Sequence, residues 1–232
     1  MKLEATTIPA NTLTADQIAT MLRLMQSHYE GVSESQFLAD LQEKNWVILL
    51  REEETIRGFS TQKLFEHSLD GEQVNVLFSG DTIIDKNCWG SQALPIAWGR
   101  LMNRLLVEYP QRELYWLLTS KGYKTYRFLP VFFCEYFPQY AVESPPEMKR
   151  LRDSLAAKRF GARFNPDTGV LRAEMGAQRL RGGIAELDDQ RLRDPYIAFF
   201  AQCNPGHARG DELVCLARWH PENLTPYIRR QL

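Results

Sequence analysis

The feature that most constrains this fold is the stretch over residues 74–107, where the spacing of apolar residues changes from strand-like to helix-like. Alternating apolar residues begin at Val74, and a β-branched run carries the pattern to Ile84, which predicts a strand. The apolar residues that follow recur at helical spacing: Leu94, Trp98, Leu101, Met102 and Leu105. Pro95 fits only the first turn of such a helix, so the helix is predicted to begin close to residues 91–94.

The link between this strand and this helix is a short polar loop that contains one glycine, Gly90. The first N–H groups of a helix have no partner within it, and together with the helix dipole they favour an anion such as a phosphate. The alternative is an ordinary strand–turn–helix unit that binds nothing. Local features leave both interpretations open, because a single glycine is a weak signal.

The segments around this unit predict a mixed sheet. Helical patterns at residues 14–29 and 33–41 precede strand patterns at 46–50 and 56–65. An apolar strand without alternation at residues 114–119, as expected for a strand covered on both faces, follows the helix. This order predicts an α/β fold with a mixed, mostly antiparallel central sheet, helices on both faces and a C-terminal helical extension.

The change from antiparallel to parallel pairing is predicted to fall beside the strand that begins at Val74. Diverging strands open a cleft, and α/β proteins commonly bind ligands there. A proline pair at residues 145 and 146 separates a predicted core, residues 1–145, from an extension, residues 146–232. A strand at about residues 211–219 is predicted to return from the extension to the main sheet.

Composition excludes several classes of protein. Charged residues make up 25% and hydrophobic residues 44% of the 232 residues, which is typical of globular domains. No apolar run approaches the roughly 20 residues of a membrane span. Residues 1–17 lack the apolar core of a signal peptide, so a cytoplasmic location is expected.

Charge is distributed unevenly along the chain. Residues 1–145 carry 13 Lys/Arg against 18 Asp/Glu, whereas residues 146–232 carry 15 Lys/Arg, 13 of them arginine, against 11 Asp/Glu. The arginines form either an ordinary solvated surface or a docking surface for an acidic or phosphorylated partner. Nucleic acid is not expected, because the excess is small and no nucleic-acid-binding motif accompanies it.

The cysteines predict no metal site. Cys88, Cys134, Cys203 and Cys215 contain no CxxC pair, and free thiols agree with a reducing compartment. The spacing of Cys203, His207, Cys215 and His220 matches no zinc finger, and Cys215 lies in an apolar run where a buried thiol is usual.

Over about residues 14–137 the order of elements resembles the GNAT superfamily of N-acyltransferases. That family has two N-terminal helices, a meander, a strand–loop–helix unit that binds the pyrophosphate of the acyl donor, and a further strand and helix. The motif that carries the resemblance is residues 84–94, IDKNCWGSQAL. Gly90 occupies a glycine position of the family loop, Trp89 stands where an arginine is common, and Gln92 and Leu94 stand where further glycines are usual.

The resemblance implies a thioester donor, either acetyl-CoA or a longer acyl-CoA, or an acyl carrier protein. The residues implied in donor binding are Thr82, Ile83 and Ile84 on the strand edge, Trp89, Gly90, Ser91 and Gln92 in the loop, and Ser120 and Tyr123 after the following strand. Tyr126 is the implied general acid that protonates the leaving thiolate. The alternative for Tyr126 is a core aromatic.

Acyl transfer to an amine also needs a group that takes up the amine proton. Asp81 follows Gly80, and a glycine within a strand predicts a bulge that re-aims its neighbours. Asp81 is therefore the first candidate base and Asp85 the second, with a solvated strand-end carboxylate as the alternative for either. N–H groups freed at the bulge are candidates to polarise the thioester carbonyl.

The predicted function is a GNAT-like N-acyltransferase that moves an acyl group from acyl-CoA or acyl carrier protein to a small-molecule amine acceptor. The alternative is a catalytically inactive module of the same fold that binds an acyl thioester or another metabolite, which the missing glycines favour. A hydrolase is disfavoured, because Ser60, Ser79 and Ser120 lack a GxSxG motif. The extension also resembles those of N-acyl amino acid synthases and acyl-homoserine lactone synthases, and its arginines suit an acidic carrier protein.

Overall fold

The structure is a computed structural model that describes residues 3–143, 145–184 and 186–232. The strands are β1 (Glu4–Pro9), β2 (Tyr29–Glu30), β3 (Trp46–Glu52), β4 (Thr55–Leu69), β5 (Glu72–Ile84), β6 (Leu114–Ser120), β7 (Phe164–Asn165), β8 (Val170–Leu171), β9 (Arg179–Leu180) and β10 (Glu212–Trp219). The helices are α1 (Ala15–His28), α2 (Glu34–Gln42), α3 (Ala93–Glu108), α4 (Tyr123–Tyr126), α5 (Phe128–Phe132), α6 (Pro146–Phe160), α7 (Pro195–Cys203) and α8 (Pro226–Arg229).

Eight strands form one sheet in the order β1-β3-β4-β5-β6-β10-β8-β7. Neighbouring strands are antiparallel except β5 and β6, which are parallel and joined by α3. The mixed, mostly antiparallel sheet that the sequence predicts is therefore confirmed, and the change to parallel pairing lies beside β5 as expected. β10 pairs with β6, so a strand of the last third of the chain lies inside the main sheet.

Side chains alternate across the strands, so the two faces of the sheet have separate cores. On one face, here the α3 face, Trp116 and Leu118 of β6 pack with α3, α4, α5, α7 and α8. On the opposite face, here the α6 face, Tyr115 and Leu117 of β6 pack with α6, and other strands pack with α1 and α2. Helices cover both faces, as the sequence predicts.

The helices begin at the residues that the sequence marks. Thr14 and Gln17 form a capping box at the start of α1, each side chain accepting from the other's main-chain N–H. The Ser33 hydroxyl caps α2. α3 begins at Ala93 and has Pro95 in its first turn, where the missing N–H costs no helical hydrogen bond.

Within the described residues, no helix is both long and apolar enough to cross a bilayer. No group of three or more metal-ligating side chains is gathered in that part of the chain.

Candidate functional site

The site begins where β5 leaves β6. Parallel pairing ends at Ser79 and Leu118, after which β5 continues with β4 to Ile84 and β6 continues with β10 to Ser120. The gap between the diverging strands widens into a cleft of about 940 Å³. The cleft therefore lies at the change of pairing that the sequence predicts.

A bulge in β5 aims Asp81 at the α6 face. The register with β4 shifts between Ser60 and Gln62, so that Gly80 and Asp81 of β5 oppose a single residue of β4. Unbroken alternation from Phe78, which packs with α6, would turn the odd-numbered residues to the α3 face. The bulge predicted from the glycine is confirmed, and it turns Asp81 to the face where α1, α2 and α6 lie.

Asp81 lies among charged residues on the cleft wall. Burial and the Asp40 carboxylate raise the pKa of its carboxyl to about 6, against the opposing effect of the Lys121 and Lys44 ammonium groups. Glu212 also raises the pKa. A carboxylate of this pKa is ionised at neutral pH and still accepts a proton readily, as a general base requires.

The charges around Asp81 are held in place by ion pairs. The buried Lys44 ammonium lies 2.6 Å from Asp40, and the Lys121 ammonium lies 3.2 Å from Glu212. The Thr119 hydroxyl donates to the other Glu212 oxygen at 2.6 Å. Each cation is thus balanced by its own partner.

Tyr29 brings a phenol to the same wall of the cleft. Burial, Asp81 and Glu212 all raise the pKa of Tyr29, so the hydroxyl stays protonated at neutral pH. The Lys121 ammonium lies over its ring, 5.6 Å from the centroid. Tyr29 is therefore a proton donor within the electrostatic reach of Asp81.

The edge of β5 that faces the cleft is available for pairing. The Asp85 N–H donates to β4 at 2.7 Å, so alternation turns the main-chain groups of Thr82 and Ile84 away from β4 and toward the cleft. His28 and Trp89 contact the Ile84 carbonyl oxygen at 3.1 and 2.9 Å through ring nitrogens. Thr82 and the Ile84 N–H remain as the groups that an extended, amide-bearing ligand can pair with.

The loop before α3 provides N–H groups for an anion. Gly90 has φ +89°, a left-handed conformation that favours glycine. Within the described residues, no main-chain carbonyl accepts from the N–H groups of Gly90, Gln92 or Leu94. The Lys124 ammonium lies 3.1 Å from the centroid of the exposed Trp89 ring. Unpaired N–H groups at a helix start, with a lysine beside them, have the charge and geometry that suit an anion such as a phosphate.

Most of the predicted site residues meet at the cleft. Asp81, Thr82, Ile83, Ile84, Trp89, Gly90, Ser91 and Gln92 all line it. Asp85 instead caps the turn after β5, accepting from the Asn87 N–H at 2.9 Å, with Arg57 3.8 Å away.

Ser120, Tyr123 and Tyr126 are not among the residues that line the cleft. Ser120 is fully buried and donates to the Gly122 carbonyl at 2.8 Å. Tyr126 is also fully buried, packs against Phe200, and donates to the Pro138 carbonyl at 3.0 Å. Burial raises the pKa of Tyr126, and its hydroxyl is committed to the core. A general acid must reach the leaving sulfur, so this geometry does not support the acid role predicted for Tyr126.

Replacing Tyr126 with phenylalanine tests that placement. We expect the free energy of unfolding to fall by about 1 kcal/mol, because the Pro138 carbonyl loses its donor. Turnover should stay within about twofold of wild type, since no proton is transferred from Tyr126. Urea unfolding and steady-state rates measure the two effects, and a turnover about tenfold slower would instead support the acid role.

Several cleft residues carry no signal in the sequence. Tyr29, Asp40 and Glu212 come from β2, α2 and β10. Arg159 comes from the end of α6, where its guanidinium lies 4.2 Å from the Phe78 ring centroid. No local motif links segments this distant. Arg159 is one of the arginines of residues 146–232, but their excess in the sequence does not indicate which of them lies at the cleft.

No model of a known family and no curated protein matches the chain. Among solved structures, it is similar to a conserved Enterococcus faecalis V583 protein of unknown function, described as a probable N-acyltransferase, with TM-score 0.45 and 11% identity over 59% of this chain and 33% of that one. It is also similar to an integron cassette protein from the mobile metagenome of V. cholerae, with TM-score 0.43 and 15% identity over 66% and 99% of the two chains. A third is a GNAT family N-acetyltransferase from Escherichia coli in complex with CoA, with TM-score 0.38 and 15% identity over 55% and 69%. The chain thus spans about a third of the length of the first of these proteins.

Proposed function

We propose that this chain is a GNAT-like N-acyltransferase that moves an acyl group from a thioester donor to a small-molecule amine. The observation that carries the proposal is the divergence of β5 from β6 after Ser79, which opens a strand edge directly beside the loop around Gly90, where N–H groups have no main-chain acceptor. A thioester carried on CoA has the matching parts in the matching order: an amide-bearing arm that pairs with a strand, and a pyrophosphate that binds N–H groups.

The donor would lie between β5 and the start of α3. Its amides would pair with Thr82 and Ile84, and its pyrophosphate would accept from the N–H groups around Gly90 with Lys124 alongside. An acyl carrier protein would present the same arm. Its acidic surface would then contact the arginines of residues 146–232.

A second, smaller cavity suggests the size of the acyl group. It has a volume of about 40 Å³ and lies between β5, β6 and α3, lined in part by Gly80, Leu94, Trp98 and Phe128. This is room for about three water-sized groups. An acetyl group fits this space and a long acyl chain does not, so acetyl-CoA is the expected donor.

The reaction needs one proton acceptor and one proton donor. The amine nitrogen attacks the thioester carbonyl, the new C–N bond forms and the C–S bond breaks. Asp81 would take the proton from the amine, and Tyr29, which lines the same cleft, would protonate the leaving sulfur. Main-chain N–H groups at the bulge would stabilise the oxyanion of the tetrahedral intermediate.

Donor binding is the first test. With CoA or acetyl-CoA at about 100 times its Kd, stabilisation by about 2.7 kcal/mol is expected. For a chain of this size the melting temperature then rises by about 5 °C or more. Adenosine monophosphate is the control, since it lacks the arm that pairs with β5. If neither CoA ester nor an acylated carrier protein stabilises the protein, the transferase proposal is wrong.

Binding without turnover would identify the alternative, an inactive module that holds a thioester or another metabolite. The substitutions of family glycines in the loop favour that alternative, whereas the pKa of Asp81 favours the enzyme. Release of free thiol, measured over a panel of amines, distinguishes the two.

A further inference from the structure

Beneath the bulge, a continuous line of buried side-chain hydrogen bonds crosses three strands. Trp116 Nε1 of β6 donates to Ser79 Oγ at 2.8 Å, and Ser79 Oγ donates to Gln62 Oε1 at 2.8 Å. Gln62 Nε2 of β4 donates to Ser60 Oγ at 2.7 Å, which lies 2.7 Å from Thr82 Oγ1. We call this line the Gln62 network.

The network has one direction. An indole N–H only donates and an amide oxygen only accepts, so the protons run from Trp116 through Ser79 to Gln62, and from the Gln62 amide nitrogen to Ser60. Either hydroxyl can donate between Ser60 and Thr82, and Ser60 is the donor when the single Thr82 proton is directed at the Gly80 carbonyl. Thr82 in turn directs its proton to the Gly80 carbonyl, 3.4 Å away. Bonds arranged head to tail polarise one another and stiffen the whole line.

The network encloses the bulge. Its members on β5 are Ser79 and Thr82, the two residues that flank Gly80 and Asp81. Both are tied to β4 through Gln62, which is 0% exposed, and its last bond ends on the Gly80 carbonyl. The Gly80 carbonyl and the Asp81 N–H belong to the same planar peptide group. The position of the carbonyl therefore fixes the orientation of the main chain at Asp81, and with it the direction of the Asp81 side chain.

A packing role alone accounts poorly for this arrangement. An apolar residue of similar size would fill the same space, and buried polar groups are costly unless they are fully paired. Both ends of the Gln62 amide are paired, and both partners are the residues nearest the bulge on their strands. The polar atoms are therefore concentrated at the bulge, where the alternation of β5 side chains between the two faces of the sheet is interrupted.

We propose that Gln62 is a positioning residue. Through Ser60, Ser79 and Thr82 it holds the Gly80–Asp81 bulge so that the Asp81 carboxylate points into the cleft on the α6 face of the sheet. This assignment rests on the proposed function only for its effect on turnover. The effect on the placement of Asp81 is a property of the folded chain by itself.

Two substitutions interrupt the network without changing side-chain volume greatly. Gln62→Met removes both amide bonds, and Thr82→Val removes the last link to the Gly80 carbonyl. Thr82→Ser keeps the hydroxyl and should therefore behave as the wild type, unlike Thr82→Val. Ser154→Ala is the matched control, because the Ser154 hydroxyl lies 2.9 Å from Nε2 of the buried His67 on β4, outside the cleft lining.

The first measurement is titration of the Asp81 carboxyl by NMR with aspartate labelled at the carboxyl carbon, which needs no substrate. In Gln62→Met and Thr82→Val the midpoint should move by about half a pH unit or more, because the distances to Asp40 and Lys121 change. Thr82→Ser and Ser154→Ala should titrate as wild type. The positioning role would be overturned if the Asp81 midpoint did not move in either network variant while the melting temperature fell as it does in Ser154→Ala.

The second measurement is acyl transfer. In both network variants kcat should fall by about tenfold or more, because a misplaced base slows the chemical step. In Gln62→Met the Kd for CoA should change little, since Gln62 lines neither the cleft nor the smaller cavity. An unchanged kcat together with a raised KM would assign the network to donor binding and overturn the proposal. If the wild-type chain transfers no acyl group, the proposed function fails, and the NMR titration still decides the role of Gln62.

Discussion

Asp81→Asn is expected to lower kcat/KM for acyl transfer by about 100-fold or more, because the amine loses the group that accepts its proton. The effect should depend on pH in a defined way. The carboxylate acts only when unprotonated, so the wild-type rate should rise with pH through the pKa of Asp81, at about 6. The variant should lack this limb. Both proteins should retain any rise at higher pH that comes from ionisation of the amine acceptor itself. Initial rates across pH 5 to about 9 measure both limbs.

Asp85→Asn is the matched control. Asn keeps an oxygen that can accept from the Asn87 N–H, and Asp85 lies on the turn after β5 rather than among the charges around Asp81. Its rate should stay within about threefold of wild type, with the limb near pH 6 intact. A larger loss in Asp85→Asn than in Asp81→Asn would transfer the base role to Asp85. Equal rates for wild type and Asp81→Asn would leave the reaction without a protein base.

The parts of the fold that sequence could predict are those set by local pattern. The change of period over residues 74–107 marks β5 and α3, and Pro95 fixes the start of the helix to within a turn. Gly80 marks the bulge for a similar reason, because a strand seldom has a glycine unless it bends or is approached closely. In each case the conformation is determined by residues within a few positions of the one that indicates it.

β1 is a strand that the local sequence pattern does not predict. Residues 4–9 combine polar and small residues with a terminal proline, which indicates no strand on its own. The strand exists because it pairs with β3 at the edge of the sheet, where a proline is tolerated. Pairing partners far along the chain, rather than local preference, determine such an element.

The site was only partly predictable for the same reason. Asp81 could be found from its neighbour Gly80, but its raised pKa depends on burial by the folded chain and on Asp40 and Glu212, which come from α2 and β10. Tyr126 shows the opposite case. An aromatic side chain on a helix after a central strand fits a core or a cleft equally well, and only the packing against Phe200 decides for the core.

Gly58→Ala is expected to reduce both stability and donor binding. Gly58 lies on β4 opposite Ile84, and an added Cβ would lie 2.6 Å from the Ile83 carbonyl oxygen and 3.1 Å from the Ile84 Cα. Both are main-chain atoms of β5, so no side-chain rotation relieves the contact. The free energy of unfolding should fall by about 1–3 kcal/mol, as for other overpacked sites. Urea unfolding measures this loss.

The same contact couples stability to the donor site, because the atoms displaced belong to the strand edge that would pair with the donor arm. The stabilisation by CoA should therefore shrink in Gly58→Ala beyond what the lower starting stability accounts for. Gly182→Ala is the control, since its added Cβ would approach only the end of the Glu186 side chain, at 3.3 Å. That variant should unfold within about 0.5 kcal/mol of wild type and bind CoA equally well. If Gly58→Ala bound CoA as tightly as Gly182→Ala, the edge at Thr82 and Ile84 would not be where the donor pairs. The donor would then have to be held by the loop around Gly90 alone.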